Sequence, residues 1–459
     1  MSTEAPATTN GLPPSQFDWS GPQKIALFSA VGGFALYAIV GAINLGVDLE
    51  YGATSLVSAF LVGWLYWVSL PIGATSLLMV HYLAKTSWGL LLKRFLEACT
   101  RTFPLMIALF IPMAIAAMTV GGHHPLYWWT DAEHKEVERV PPPAPAPAGD
   151  AQLEAHEAKL AQRREAAEQL VNHVVAAERE EHAKGNFHFL STWGYIGLSL
   201  VYFAVWGTLA FFLNKWGQDA EDDPAKVESS LEKLKNISGP GLILHAVVLT
   251  AAASHWVMSL QEGWASTMFP VIMHIHQFLT TLCFCVMCFL FLSSRSPFKE
   301  VMRPKFQLDM GSLMLAFTLF WTYTSFSQMM LIWIGNLPEE IPFYLKRSGK
   351  DGWWWVSAGL IVFHFACPFL LLLFRDIKLH PVRLRIMAIY LLVFCGVDVA
   401  WWVEPTFPHE SPLFILMDVG AIAGIGGLWS LVFINQLKKR PLLPTNELYQ
   451  LPEGHHHGH

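Results

Sequence analysis

The chain has 459 residues, of which 53% are hydrophobic, 13% are aromatic and only 14% are charged. A soluble domain usually carries about 25% charged residues, so this composition excludes an ordinary soluble enzyme and predicts an all-α, polytopic membrane protein. The formal net charge of −6 identifies no partner and gives no sign of nucleic-acid binding, because charge is divided between two faces of a membrane. Residues 1–23 are polar and lack the apolar core of a cleavable signal peptide.

A transmembrane helix needs about 20 mainly apolar residues. The sequence predicts ten such spans, at 25–46, 55–83, 101–120, 189–214, 239–260, 267–293, 308–334, 353–375, 382–403 and 413–436. Spans 2–5 and 6–9 form two predicted four-helix bundles, with spans 1 and 10 as peripheral helices. The predicted segments are a cytoplasmic N-terminal segment (1–24), spans 1–3 (25–120), an outer loop (121–188), spans 4–10 (189–436) and a cytoplasmic tail (437–459). Residues 86–100 are predicted to be an interfacial lead-in to span 3.

Loop charges predict the orientation. Twenty of the 30 Lys and Arg residues fall on the faces that also carry both termini, and seven of the other ten fall in the long loop 121–188, where charge has little influence. Both termini are therefore predicted to be cytoplasmic. The long loop contains a Pro/Ala linker at 141–148 and a polar helical insertion at 151–184. The insertion has two interpretations, a docking element for another subunit or a solvated helix.

Ionisable side chains in the spans are the candidates for chemistry, since such groups are costly in hydrocarbon and usually mark function. Histidine suits proton transfer because its unperturbed pKa is near neutrality. The predicted proton path has an inner part, a mid-membrane residue and an outer part. Its candidates are His81, His245 and Asp309 on the inner side, His364 in the middle, and His255, Glu262, His274, His276 and Asp398 on the outer side.

His274 and His276 lie about 200° apart around a helix, so only one of them is expected to face the same interior as His255. The structural alternatives are that His255 and His364 make ordinary hydrogen bonds between helices, and that a further group lies at the membrane interface: His81, Asp309, Glu404 and Asp418.

Two other functions stay open: a b-type haem held by His255 with His274 or His276, and a stand-alone transporter. No haem-attachment motif and no metal site is predicted, and the six cysteines are interpreted as packing residues.

Three short strings carry a resemblance to a known family. They are WVSLPIGA at 67–74, HYLAKTSWG at 81–89 followed by RFLEA at 94–98, and FIP at 110–112. Together with ten spans in two sets of four, they resemble the polysulfide reductase membrane-subunit (NrfD-like) family. The resemblance is closer to the long branch of this family that belongs to bacterial alternative complex III, a quinol:cytochrome c oxidoreductase.

The resemblance implies a multi-pass subunit of the bacterial inner membrane that binds no redox cofactor of its own. It implies partner subunits with iron–sulfur clusters and multihaem cytochrome c on the periplasmic side, in a respiratory electron-transport complex. It also implies proton translocation through the membrane helices. Relatives bind quinol near the outer face, and the candidates here are His123, His124 and His188. The expected function is thus support of a quinol-oxidising complex together with a proton path, and the alternative is a quinol-binding catalytic subunit.

Overall fold

A computed structural model describes residues 17–118, 189–261, 264–337, 340–348, 352–407 and 412–444. Every regular element in these residues is helical. The helices are α1 (Ser20–Val47), α2 (Leu49–Ala84), α3 (Ser87–Thr100), α4 (Phe103–Met118), α5 (Thr192–Asp222), α6 (Val227–Trp256), α7 (Phe269–Leu292), α8 (Phe298–Val301), α9 (Pro304–Gly335), α10 (Ile341–Ser348), α11 (Trp353–Gly359), α12 (Cys367–Leu373), α13 (Arg375–Leu379), α14 (Pro381–Val403) and α15 (Phe414–Leu437). A π-helical segment, Leu360–Ala366, joins α11 to α12.

Helices of membrane-spanning length and apolarity number eight in the described part of the chain, or nine if the pair α3 and α4, bent by 40°, counts as one span. The all-helical, polytopic fold is therefore as predicted, and the count of ten remains a prediction. Predicted span 7 corresponds to α9, a helix of 32 residues that is not among these eight. Polar side chains at 322–325 and at Gln328 interrupt its apolar sequence.

The interior is organised around α2 and α7. Helix α2 has 36 residues and packs against α1, α3, α6, α7, α14 and α15. Helix α7 lies between two groups of helices, with α2 and α6 on one side and α9 and α14 on the other. Side chains on opposite faces of α7 therefore meet different neighbours.

Two local features differ from the sequence predictions. Helix α6 begins at Val227, twelve residues before the predicted start of that span at 239, so His245 lies inside the helix and not near its inner end. Helix α3 was expected to be an interfacial lead-in, yet its Lys93, Arg94 and Glu97 are all buried. Burial is possible because Arg94 donates to Glu97 at 2.6 Å and also pairs with Glu221 of α5.

Candidate functional site

A first buried polar cluster, the His245 cluster, consists of Ser76, Trp206, His245 and His274 from α2, α5, α6 and α7. Trp206 Nε1 donates to His245 Nδ1 at 3.1 Å, and His245 Nε2 lies 2.7 Å from Ser76 Oγ. Because an indole N–H only donates, Nδ1 of His245 accepts, and its proton is on Nε2, directed to Ser76. The His274 ring lies against His245 with centroids 5.0 Å apart.

This contact corrects the predicted depths. His245 was placed toward the inner side and His274 toward the outer side. Their ring contact puts both at the same depth, so that part of the prediction is wrong. The physical reason is that His245 lies only eleven residues before the end of α6 at Trp256, and His274 lies five residues after the start of α7 at Phe269, so the rings meet toward the connected ends of the two helices.

A second buried cluster, the Asp398 cluster, consists of His276, Trp321, His364 and Asp398 from α7, α9, the π-helical segment and α14. Asp398 Oδ2 accepts from His276 Nδ1 at 3.0 Å and from Trp321 Nε1 at 2.9 Å. The His364 ring stacks on the Trp321 indole at a centroid distance of 4.2 Å. The four side chains thus bring three of the predicted proton-path residues to one place.

The Asp398 cluster has the chemistry of a proton-binding unit. His276 and His364 are fully buried, and Asp398 is 1% exposed. A buried carboxyl group is costly without hydrogen-bond partners, and Asp398 has two here, His276 and Trp321. Nε2 of His276 has no hydrogen-bond partner in the described residues, which leaves it available to exchange a proton.

His364 lies in the π-helical segment, a kind of irregularity that often occurs at functional sites. Neither of its ring nitrogens makes a hydrogen bond of normal geometry to a described residue, although a weaker interaction with the Phe394 backbone is present. His364 also interacts electrostatically with Asp398 and His276. It therefore belongs to the same electrostatic unit as the His276–Asp398 pair.

His255 does not join either cluster. Its Nε2 lies 2.7 Å from the Phe189 carbonyl, and its Nδ1 lies 3.0 Å from the Tyr202 hydroxyl. Because a carbonyl only accepts, the ring donates from Nε2 and accepts from Tyr202 at Nδ1. Both nitrogens are thus used in contacts with α5 and with the residues just before it, in agreement with the structural interpretation of this residue.

The inner residues of the predicted path are not brought together by any hydrogen bond or ion pair among the described residues. His81 Nδ1 contacts the Thr86 hydroxyl at 3.1 Å, just beyond the end of its own helix. Asp309 is half-buried near the start of α9. Four other predicted residues, Glu262, His123, His124 and His188, lie outside the described residues, as does the insertion at 151–184.

Sequence reasoning missed the tryptophans of both clusters and the pairing of two acidic residues. Trp206 and Trp321 were not singled out, although a buried indole N–H usually needs an acceptor. Glu404 and Asp418, at the end of α14 and in α15, hydrogen-bond to each other, and Ser58 of α2 donates to Glu404 Oε2 at 3.3 Å. The available signal was a polar atom within or beside a long apolar segment, where it needs a hydrogen-bond partner.

Within the part of the chain that the structure describes, no group of three or more His, Cys, Asp or Glu side chains is arranged to hold a metal ion. A scan against models of known protein families finds no match to this chain, and a search of curated proteins finds none either.

Proposed function

We propose that this chain is an integral membrane subunit of a quinol:electron-acceptor oxidoreductase complex, that it supports the complex, and that it provides a proton path through the membrane. The observation that carries the proton path is the Asp398 cluster. A carboxylate, two histidines and an indole are buried together there, with an imidazole nitrogen left for proton exchange. Burial of such groups is costly, and their usual role inside a membrane protein is transport of ions or protons.

The nature of the complex is supported by the resemblance of the strings at 67–74, 81–98 and 110–112 to the NrfD-like family. On this proposal the chain lies in a bacterial inner membrane with ten spans and both termini in the cytoplasm. Its partners are periplasmic subunits with iron–sulfur clusters and haem c. Those partners carry the electrons, and this chain binds no redox cofactor.

The proposal of a complex is tested by what co-purifies with the chain from its native membrane under mild detergent. We expect haem c absorbance, iron–sulfur signals in electron paramagnetic resonance, and electron transfer from a quinol. A matched preparation from cells lacking this chain is the control. Recovery of a solitary, colourless protein would contradict the proposal and favour the transporter.

A further inference from the structure

Four buried polar atoms of α7 make no hydrogen bond to any described residue. They are Nε2 of His274, Nε2 of His276, and both the oxygen and the nitrogen of the Gln277 side-chain amide. His276 and Gln277 are fully buried. Native proteins satisfy nearly all buried polar groups, either with protein partners or with ordered water. A concentration of such atoms within four residues of one helix therefore indicates a ligand that both donates and accepts hydrogen bonds.

Around the axis of α7, Gln277 lies between the two clusters. With about 100° per residue, His276 lies about 200° and Gln277 about 300° around α7 from His274. Gln277 is therefore on the arc that separates His274, which faces His245, from His276, which faces Asp398.

Helix α2 packs against this arc of α7. A Cβ atom added at Gly73 would lie only 2.9 Å from the Gln277 carbonyl carbon, so α2 and α7 are in close backbone contact at this level. One turn along, the Thr281 hydroxyl donates to the carbonyl oxygens of Ser69 and Leu70, each at 3.3 Å. Gln277 thus lies on the face of α7 that contacts α2, and its side chain is fully buried.

We propose that Gln277 holds internal water molecules that join the His245 cluster and the Asp398 cluster into one hydrogen-bonded path. An amide offers two donors and two acceptor lone pairs, so it orients water on both sides. Since an amide does not carry the proton itself, Gln277 is a positioning residue and the water transfers the proton. This role in proton transfer rests on the proposed function, whereas the binding of water does not.

The binding of water is tested in the intact complex by cryo-electron microscopy at a resolution that shows ordered water. Wild-type protein should show density within hydrogen-bonding distance of the Gln277 amide, and of Nε2 of His274 and His276. Gln277→Leu should lose the density beside residue 277. An empty contact in the wild type, or an amide bonded only to protein groups, would overturn the inference even if the variant fails to fold.

The connection is tested by proton uptake per electron with the complex in sealed vesicles. Gln277→Leu should lose as much proton uptake as Asp398→Asn does. Gln436→Leu, the same change at a half-buried glutamine near the end of α15, should behave as the wild type. Normal uptake in Gln277→Leu together with loss in Asp398→Asn would overturn the connection and leave the proposed function standing. Normal uptake in both would overturn the proposed proton path, and with it the role of this water in proton transfer.

Discussion

Glu404 and Asp418 bring two carboxyl groups into hydrogen-bonding contact in the protein interior. A carboxylate only accepts hydrogen bonds, so a bond between two carboxyl groups requires at least one bound proton. Ser58 donates to Glu404 Oε2 and contributes one further bond to the pair. The pair is therefore a proton-binding group that joins α2, the end of α14 and α15.

The protonated pair should be visible by infrared spectroscopy. We expect the wild type minus Glu404→Gln/Asp418→Asn difference spectrum to contain a carbonyl band of a protonated carboxylic acid, sensitive to deuteration. Asp376→Asn, which alters an exposed carboxylate, is the control and should leave the band in place. If the double variant retains the band, the pair does not hold the proton.

Arg347 is a buried cation whose partners are backbone carbonyls. Its guanidinium donates to the carbonyl oxygens of Phe343 at 2.7 Å, Trp401 at 3.0 Å and Trp402 at 2.7 Å. The two tryptophans lie in the last turn of α14, where the helix dipole attracts positive charge. Burial lowers the pKa of Arg347 to about 9, so the side chain stays charged at neutral pH.

Replacement of Arg347 should destabilise the protein even when the positive charge is kept. Arg347→Lys keeps the charge but loses the planar, forked donor geometry, and we expect a loss of about 1.5–3 kcal/mol in the free energy of unfolding. Thermal unfolding in detergent measures the effect. Arg303→Lys, at an exposed arginine, is the matched control. Equal unfolding temperatures for the two variants would show that the carbonyl contacts contribute little.

At the scale of residues, the sequence singled out ionisable side chains in apolar helices but did not predict their contacts. His276, His364 and Asp398 stand out as ionisable groups in apolar helices, and the structure brings them together. Their link through Trp321 could not be read from the sequence, because it depends on which helices are neighbours. His255 stood out equally well, but its nitrogens bond to Tyr202 and Phe189, a contact with no local signal in the sequence.

Among the elements, α1 and α15 are in close backbone contact. A Cβ atom at Gly420 would lie 2.8 Å from the Tyr37 nitrogen, and one at Gly424 would lie 2.9 Å from the Phe34 nitrogen. Small residues allow such an approach, which is how helices associate in a membrane without a hydrophobic driving force. Ser29 adds a hydrogen bond to the Ala423 carbonyl at 3.0 Å.

A single methyl group at this contact should separate the two helices. We expect Gly424→Ala to lower the free energy of unfolding by about 1–3 kcal/mol, since the added carbon meets backbone atoms that cannot move independently. The measurement is thermal unfolding combined with thiol labelling of a cysteine placed on α1. Gly32→Ala is a control on α1, because a Cβ at that position has no atom within 4 Å. The same labelling rate in both variants would contradict the tight contact.

The sequence predicted helices well where apolar residues are continuous, as in α7 and α14. The predicted helix boundaries were less accurate where a helix contains polar residues. The first twelve residues of α6, which include Glu228, Lys233 and Lys235, read as a loop although they are helical. One face of this stretch is buried, at Val227, Ser230, Leu234 and Ser238, and an average hydropathy does not report such a face.

On the scale of the whole molecule, α7 separates two polar interiors. One contains His245 and His274, and the other contains His276, Asp398 and His364. This arrangement suits a subunit that passes protons while its partners pass electrons. The Asp398 cluster is the unit on which the proposed path depends, because its buried carboxyl group contacts His276 and Trp321 and lies beside His364.

The central measurement is the number of protons taken up per electron by the complex in sealed proteoliposomes, compared between wild type and Asp398→Asn. The asparagine retains an oxygen that accepts from Trp321 and His276, but it carries no charge. With Asp376→Asn as the exposed control, we expect electron transfer to continue in all three proteins and proton uptake per electron to fall only in Asp398→Asn. An unchanged proton-to-electron ratio in Asp398→Asn would contradict the proton path through this chain.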